Sequence, residues 1–258
     1  MGAGLTSSNR NAREVFGKRA AYYTTSAAHT DKAVLDRIVE LARPNRDAVA
    51  LDVATGTGHT AFALAPCVKT VIAVDVTPEM LEEARRLQAD NGFANIEFRL
   101  AGAEDLPFDC ERFDIVTCRR AAHHFGDVRV ALSEMRRVLK AGGRLVIDDR
   151  SVPADDFVDA TMNQLDVLHD ESHVREYRPS EWQDLLREAG FAVETVDTYT
   201  RHRPLSSLTD NVSRENTARI NQMIASLNVS QREAMNVVEK DGETYINHWF
   251  VMAVGIKA

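Results

Sequence analysis

Two aspartates, each closing a short apolar run, bracket the stretch with the most chemical content. Asp52 ends the run Ala48–Val53, and Thr55-Gly56-Thr57-Gly58-His59-Thr60-Ala61 follows it. Glycines at 56 and 58 let the backbone turn sharply and approach a ligand with no Cβ in the way. A helix opening directly after such a loop turns its unpaired N–H groups toward that ligand. Asp75 closes the next run, Thr70–Asp75, where a carboxylate can accept both hydroxyls of a ribose. Together these residues read as a nucleoside-binding edge. A second group could move protons. His123 and His124 follow the apolar run Phe113–Cys118, and Asp148-Asp149-Arg150 ends the run that starts at Arg144. Histidine exchanges a proton near neutral pH, and His123, His124 and Asp149 are the candidate catalytic residues. No carboxylate or cysteine stands at metal-ligand spacing around the two histidines, so no metal is expected. Cys118 lies inside an apolar run without a base at a diagnostic spacing and reads as a structural thiol.

Apolar runs must alternate with helices if these residues are to meet. Runs at 48–53, 70–75, 96–100, 113–118 and 144–148 are separated by helical patterns at Pro78–Gln88 and Val128–Lys140. Strands joined through helices pair in parallel. The expected fold is α/β: a Rossmann-like, seven-stranded, mostly parallel sheet with helices on both faces. A single domain is expected, opened by an N-terminal helical cap over residues 12–43 and followed by a core at 46–150. Residues 151–178 form a polar, helix-like insertion that could be a substrate lid. Residues 179–258 finish the sheet, with a helix at Pro179–Ala189, strands at Phe191–Tyr199 and Ile246–Ile256, and two helices within Leu205–Lys240. In the insertion, His169, His173 and Arg175 could grip a carboxylate or phosphate of a substrate; a solvated helix end with local ion pairs is the alternative.

Gly56-x-Gly58-x-x-Ala61 also fits the dinucleotide fingerprint. Three features weigh against a nicotinamide enzyme. A carboxylate at Asp52 would oppose a pyrophosphate. About 45 residues precede the first strand, where many dinucleotide domains begin almost at once. No tyrosine is followed four residues later by lysine.

Six segments in order carry a resemblance: Leu51–Gly58, Asp75–Met80, Ala103–Phe108, Phe113–Val116, Ala122–Phe125 and Val138–Gly143. Together they resemble class I S-adenosylmethionine-dependent methyltransferases of the ubiquinone/menaquinone-biosynthesis type. The resemblance implies S-adenosyl-L-methionine as the cofactor, S-adenosyl-L-homocysteine as its product, and a small-molecule acceptor methylated at O, N or C. It places Asp52, Thr55, Gly56, Gly58 and Thr60 around the methionine part and Asp75 on the ribose. Val76, Thr77 and Met80 would flank the adenine, with Ala103 and Glu104 at its far edge. Arg119 would supply a backbone contact near the sulfonium. Tyr22, Tyr23 and His29 lie where relatives fold an N-terminal helix over the cofactor. Many relatives carry an aspartate just before the Ala-Glu pair; this chain has Gly102.

A net charge of −8 disfavours the basic footprint that nucleic acids require. The three cysteines show no C-x-x-C pairing, and the start of the chain has no secretory apolar run. A cytoplasmic monomer or homodimer is expected, with neither nucleic acid nor membrane as partner. An RNA or protein methyltransferase, an NAD-dependent oxidoreductase and a non-catalytic cofactor-binding regulator remain as alternative readings.

Overall fold

The computed structural model describes residues 13–17, 20, 24 and 29–258. Its centre is five parallel strands: β1 (Val49–Val53), β2 (Thr70–Asp75), β3 (Ile96–Leu100), β4 (Phe113–Arg119) and β5 (Leu139–Ser151). These strands are covered on both faces, which is why they read as near-continuous apolar runs instead of alternating ones. Three later strands follow: β6 (Phe191–Pro204), β7 (Val238–Lys240) and β8 (Glu243–Lys257). β8 lies antiparallel between β5 and β6, giving the order β3-β2-β1-β4-β5-β8-β6. This path holds the seven expected strands. β7 is an addition, hairpinned to β8 through Asp241 and Gly242 at φ 53° and 80°. An Asp-Gly pair is a strong hairpin signal, but its flanks lack apolar alternation and do not read as strands.

Helix α1 (Lys32–Ala42) shows how the flanking elements are specified. Asp31 caps it by accepting from the N–H groups of Ala33 and Val34, and it stops at Arg43, φ 46°, before Pro44. Its spaced residues Val34, Ile38 and Leu41 are buried against the sheet. Helices α2 (His59–Leu64) and α3 (Pro78–Asn91) share that face. Helix α4 (Val128–Val138) covers the opposite face. Helix α5 (Asp156–His169) follows β5, and α6 (Pro179–Glu188) joins α4, burying Trp182 completely. The short α7 (Ser206–Thr209), α8 (Arg214–Ala225) and α9 (Val229–Ala234) complete the chain order. With α5 they enclose a third apolar core around Met162, Leu165, Leu208, Ile220 and Ile246.

Two local expectations shift. The helix expected over Val128–Lys140 ends at Val138, and residues 139–143 belong to β5, where Lys140 Nζ pairs with Asp114 at 2.7 Å. The 151–178 insertion holds one helix, α5, followed by an irregular segment at 170–178 that carries His173 and Arg175.

Candidate active site

The loop leaving β1 takes left-handed backbone at Ala54 (φ 53°), Gly56 (54°) and Gly58 (91°). At Gly58 space is also denied: a Cβ would stand 3.0 Å from the Phe62 ring. At Gly56 nothing lies within 4 Å, so the requirement there is conformational alone. Backbone bonds close the loop, Thr55 N–H donating to Val74 O and Gly58 N–H to Thr55 O, both at 2.9 Å. Ala54 accepts a conformation that costs a non-glycine residue about 1 kcal/mol or more, the sort of strain that clusters at functional sites.

The two strand-end aspartates are both buried but do different things. Asp52 accepts from the Thr55 hydroxyl at 2.6 Å and the Thr117 hydroxyl at 2.7 Å, tying the loop to β4. Burial pushes its carboxyl up to about 6 against those hydrogen bonds. Asp75 accepts from the Gly56 N–H at 2.8 Å and the Thr77 N–H at 2.9 Å. It too is raised by burial, with the backbone donors opposing.

Above this edge opens a cavity with about 860 Å³ of empty space, part of it open to solvent. Thr55, Gly56, Asp75, Val76, Met80 and Gly102 with Ala103 line it. Thr60, His29, Arg119, Arg120, His124 and Phe16 line it as well. Arg119 donates to the Thr60 hydroxyl at 2.9 Å and to His29 O at 3.0 Å. Its remaining nitrogen, Nη1, is buried with no hydrogen-bond partner among the described residues. Burial lowers its affinity for the proton, with Asp148 opposing. Arg120 (φ 53°) is held by Asp148 at 2.9 Å and the Tyr199 hydroxyl at 2.9 Å, and it stacks on Phe250. His29 is kept well below its ordinary value by burial, then by the nearby Arg119 and Arg120.

The histidine pair divides. His123 is buried: its Nδ1 meets Asp149 Oδ1 at 2.5 Å, and its backbone N–H donates to Asp149 Oδ2 at 2.9 Å. Burial raises Asp149 to about 6 and holds His123 well below its usual range. His124 lines the cavity, with the Phe16 ring edge-on at 4.9 Å and Ser172 Oγ 3.1 Å from Nδ1. The irregular segment is clipped to this turn, because Val174 and Arg175 N–H both donate to His123 O.

Of the residues expected at the site, His29, Thr55, Gly56, Thr60, Asp75, Val76, Met80, Ala103, Arg119 and His124 line the cavity. Asp52, Gly58 and Thr77 stand just behind it and shape it. Arg119, expected to offer a backbone contact, also has its guanidinium fixed by Thr60 and His29. Glu104 accepts from the Gly126 N–H, fastening a turn. His123 and Asp149 form a buried pair that does not line the cavity. The three substrate candidates do not line it either. His169 meets Leu208 O at 3.0 Å, and His173 meets Asn163 Oδ1 at 3.1 Å. Arg175 pairs with Asp159 and Glu181. Their partners come from distant positions, which spacing along the chain does not reveal. Tyr22 and Tyr23 lie outside the described residues. Arg120, Thr57, His59 and Phe125 also line the cavity; adjacency to Arg119 and membership of the glycine loop were the signals available for the first three.

A family profile described as "Methyltransferase domain" matches residues 44–242. The methyltransferase YcgJ of Bacillus subtilis (strain 168), itself described as uncharacterized, is 39% identical over 184 residues, 71% of this chain and 73% of that protein. The crystal structure of YcgJ superposes with a TM-score of 0.82 at 32% identity, over 86% of this chain and 97% of that one. The ubiquinone/menaquinone biosynthesis C-methyltransferase UbiE of Geobacter sp. (strain M21) is 38% identical over 107 residues, 40% of this chain and 46% of that protein. Geranyl diphosphate C-methyltransferase from Streptomyces coelicolor A3(2), solved with Mg2+, geranyl diphosphate and S-adenosyl-L-homocysteine, shares the fold at 11% identity (TM-score 0.67, 99% of this chain and 100% of that one).

Proposed function

This chain belongs to the methyltransferase-domain family, and on that premise we propose that it methylates an O, N or C atom of a small-molecule acceptor. S-Adenosylmethionine supplies an activated methyl on a positively charged sulfur and is left as S-adenosylhomocysteine. The observation that carries the reading is Asp75, a carboxylate at the end of β2 that lines the cavity and is braced by two backbone N–H groups. A ribose diol matches it. Val76, Met80 and Ala103 offer apolar walls to an adenine. The Nη1 of Arg119, buried and without a hydrogen-bond partner among the described residues, fits the carboxylate of a methionine moiety. Asp52 places negative charge behind Thr55, which favours an ammonium and opposes the pyrophosphate of a dinucleotide.

The protein's work in such a transfer is alignment and exclusion of water. Phe16 and His124 line the cavity, and the segment at 170–178 is clipped to His123 O next to them. We assign the lid role to residues 151–178 and the proton-accepting role to His124, with His123 and Asp149 as the strut beneath it. The acidic net charge supports a small acceptor over RNA. No helix among the described residues is long and apolar enough to cross a membrane. The three free thiols, Cys67, Cys110 and Cys118, favour a reducing, cytoplasmic setting.

The test is incubation with methyl-labelled S-adenosylmethionine and fractionated cell extract. Label entering the low-molecular-weight fraction is expected. Label confined to RNA or protein would overturn the small-molecule assignment.

A further inference from the structure

His124 reaches the cavity with one ring nitrogen spoken for, and the identity of its partner fixes where its proton sits. Ser172 Oγ lies 2.6 Å from Asp170 Oδ1 and 3.1 Å from His124 Nδ1. A hydroxyl has one proton to donate. A carboxylate only accepts, so that proton goes to Asp170, whose Oδ1 also takes the Ser172 N–H at 2.8 Å. The serine oxygen is then an acceptor, and Nδ1 of His124 must carry the hydrogen it accepts. Nε2 has no hydrogen-bond partner among the described residues.

We infer that Asp170 and Ser172 are positioning residues that hold His124 in its Nδ1–H form, so that Nε2 takes a proton from an acceptor bearing a hydroxyl or an acidic C–H. This rests on the methyl-transfer reading above and narrows its acceptor class. As the acceptor oxygen or carbon bonds to the methyl carbon, its proton passes to Nε2. The S–C electron pair leaves with sulfur, giving methylated acceptor, a neutral thioether and imidazolium at His124. An amine attacks through a free lone pair and has no need of a base beforehand. A dedicated Nε2 acceptor therefore favours O- or C-methylation. The buried His123, whose Nδ1 meets Asp149, lacks that access.

Two-bond 1H–15N spectra of labelled protein, with His124 assigned through His124→Gln, read the tautomer directly, with or without S-adenosylhomocysteine. Wild type and Ser172→Thr are expected in the Nδ1–H form, while Ser172→Ala gains the Nε2–H form. A wild-type Nε2–H tautomer, or no change in Ser172→Ala, would overturn the inference. S-Adenosylhomocysteine affinity within twofold of wild type shows that the alanine variant is folded. A wild type that binds none of it refutes the cofactor reading instead and leaves the tautomer result standing. With an identified acceptor, Ser172→Ala should lower kcat tenfold or more at unchanged KM. An amine methylated equally by both proteins would contradict the assigned acceptor class.

Discussion

Asp52 and Asp75 end neighbouring strands, yet only Asp75 reaches the cavity; Asp52 acts from behind through Thr55 and Thr117. Its burial sets a pH dependence. Ligand ammonium favours the ionised form of Asp52, which is lost as pH falls through about 6. Affinity for S-adenosylhomocysteine should therefore drop by up to about tenfold per unit below that pH. Calorimetry of Asp52→Asn between pH 5 and 7.5 should show weaker binding with the slope largely removed; an undiminished slope would exclude Asp52 as its source. The two aspartates and the glycine loop were legible in the sequence because a strand end, a turn and a carboxylate are all local features. The division between His123 and His124 was not legible. Adjacent residues in a one-turn helix at Ala122–His124 are told apart by Asp149 and Ser172, which arrive from elsewhere in the chain.

At the scale of elements, the face carrying α4 and α6 is a bed of packed side chains that reaches the cavity through Ala103, Ala121 and Phe125, while Trp182 itself does not line it. Trp182 is fully buried there, edge-on to Tyr177. Trp182→Ala should cost about 3–5 kcal/mol of stability. Urea unfolding would read that loss, and ligand affinity measured below the transition should stay within about threefold of wild type. A large affinity change at intact fold would mean that this face is coupled to the site. Strands β1 to β4 and helix α3 were readable from apolar runs and turn signals. The 151–178 segment was readable only as a polar insertion. Its geometry depends on Arg150 meeting Asp166 and Glu176, and on Arg175 and Arg178 meeting Asp159. These partners are chosen by the fold, so Arg175, a plausible anion clamp by composition, pairs with Asp159 and Glu181 and does not line the cavity.

Across the whole molecule, buried histidines outnumber the carboxylates that oppose them. Burial holds His29, His123, His169, His173 and His248 below the ordinary histidine value, His173 at about 4. Between each lowered value and 6.5 the unfolded chain binds more protons there, so these groups make stability rise with pH. Asp52, Asp75, Asp149 and Glu176 are raised by burial and act oppositely, Asp52 and Asp149 up to about 6. With five groups against four, the thermal midpoint should be higher at pH 6.5 than at 4.5. A midpoint falling over that interval would mean that the carboxylates dominate.

The most direct test of the methyltransferase site is calorimetric titration of S-adenosylhomocysteine and NAD into wild type and Asp75→Ala. The expected result is binding of S-adenosylhomocysteine alone, weakened about 10- to 100-fold in the variant, as suits the loss of charge-assisted bonds to a diol. Binding of NAD with no response to S-adenosylhomocysteine would contradict it and make the glycine loop a dinucleotide site.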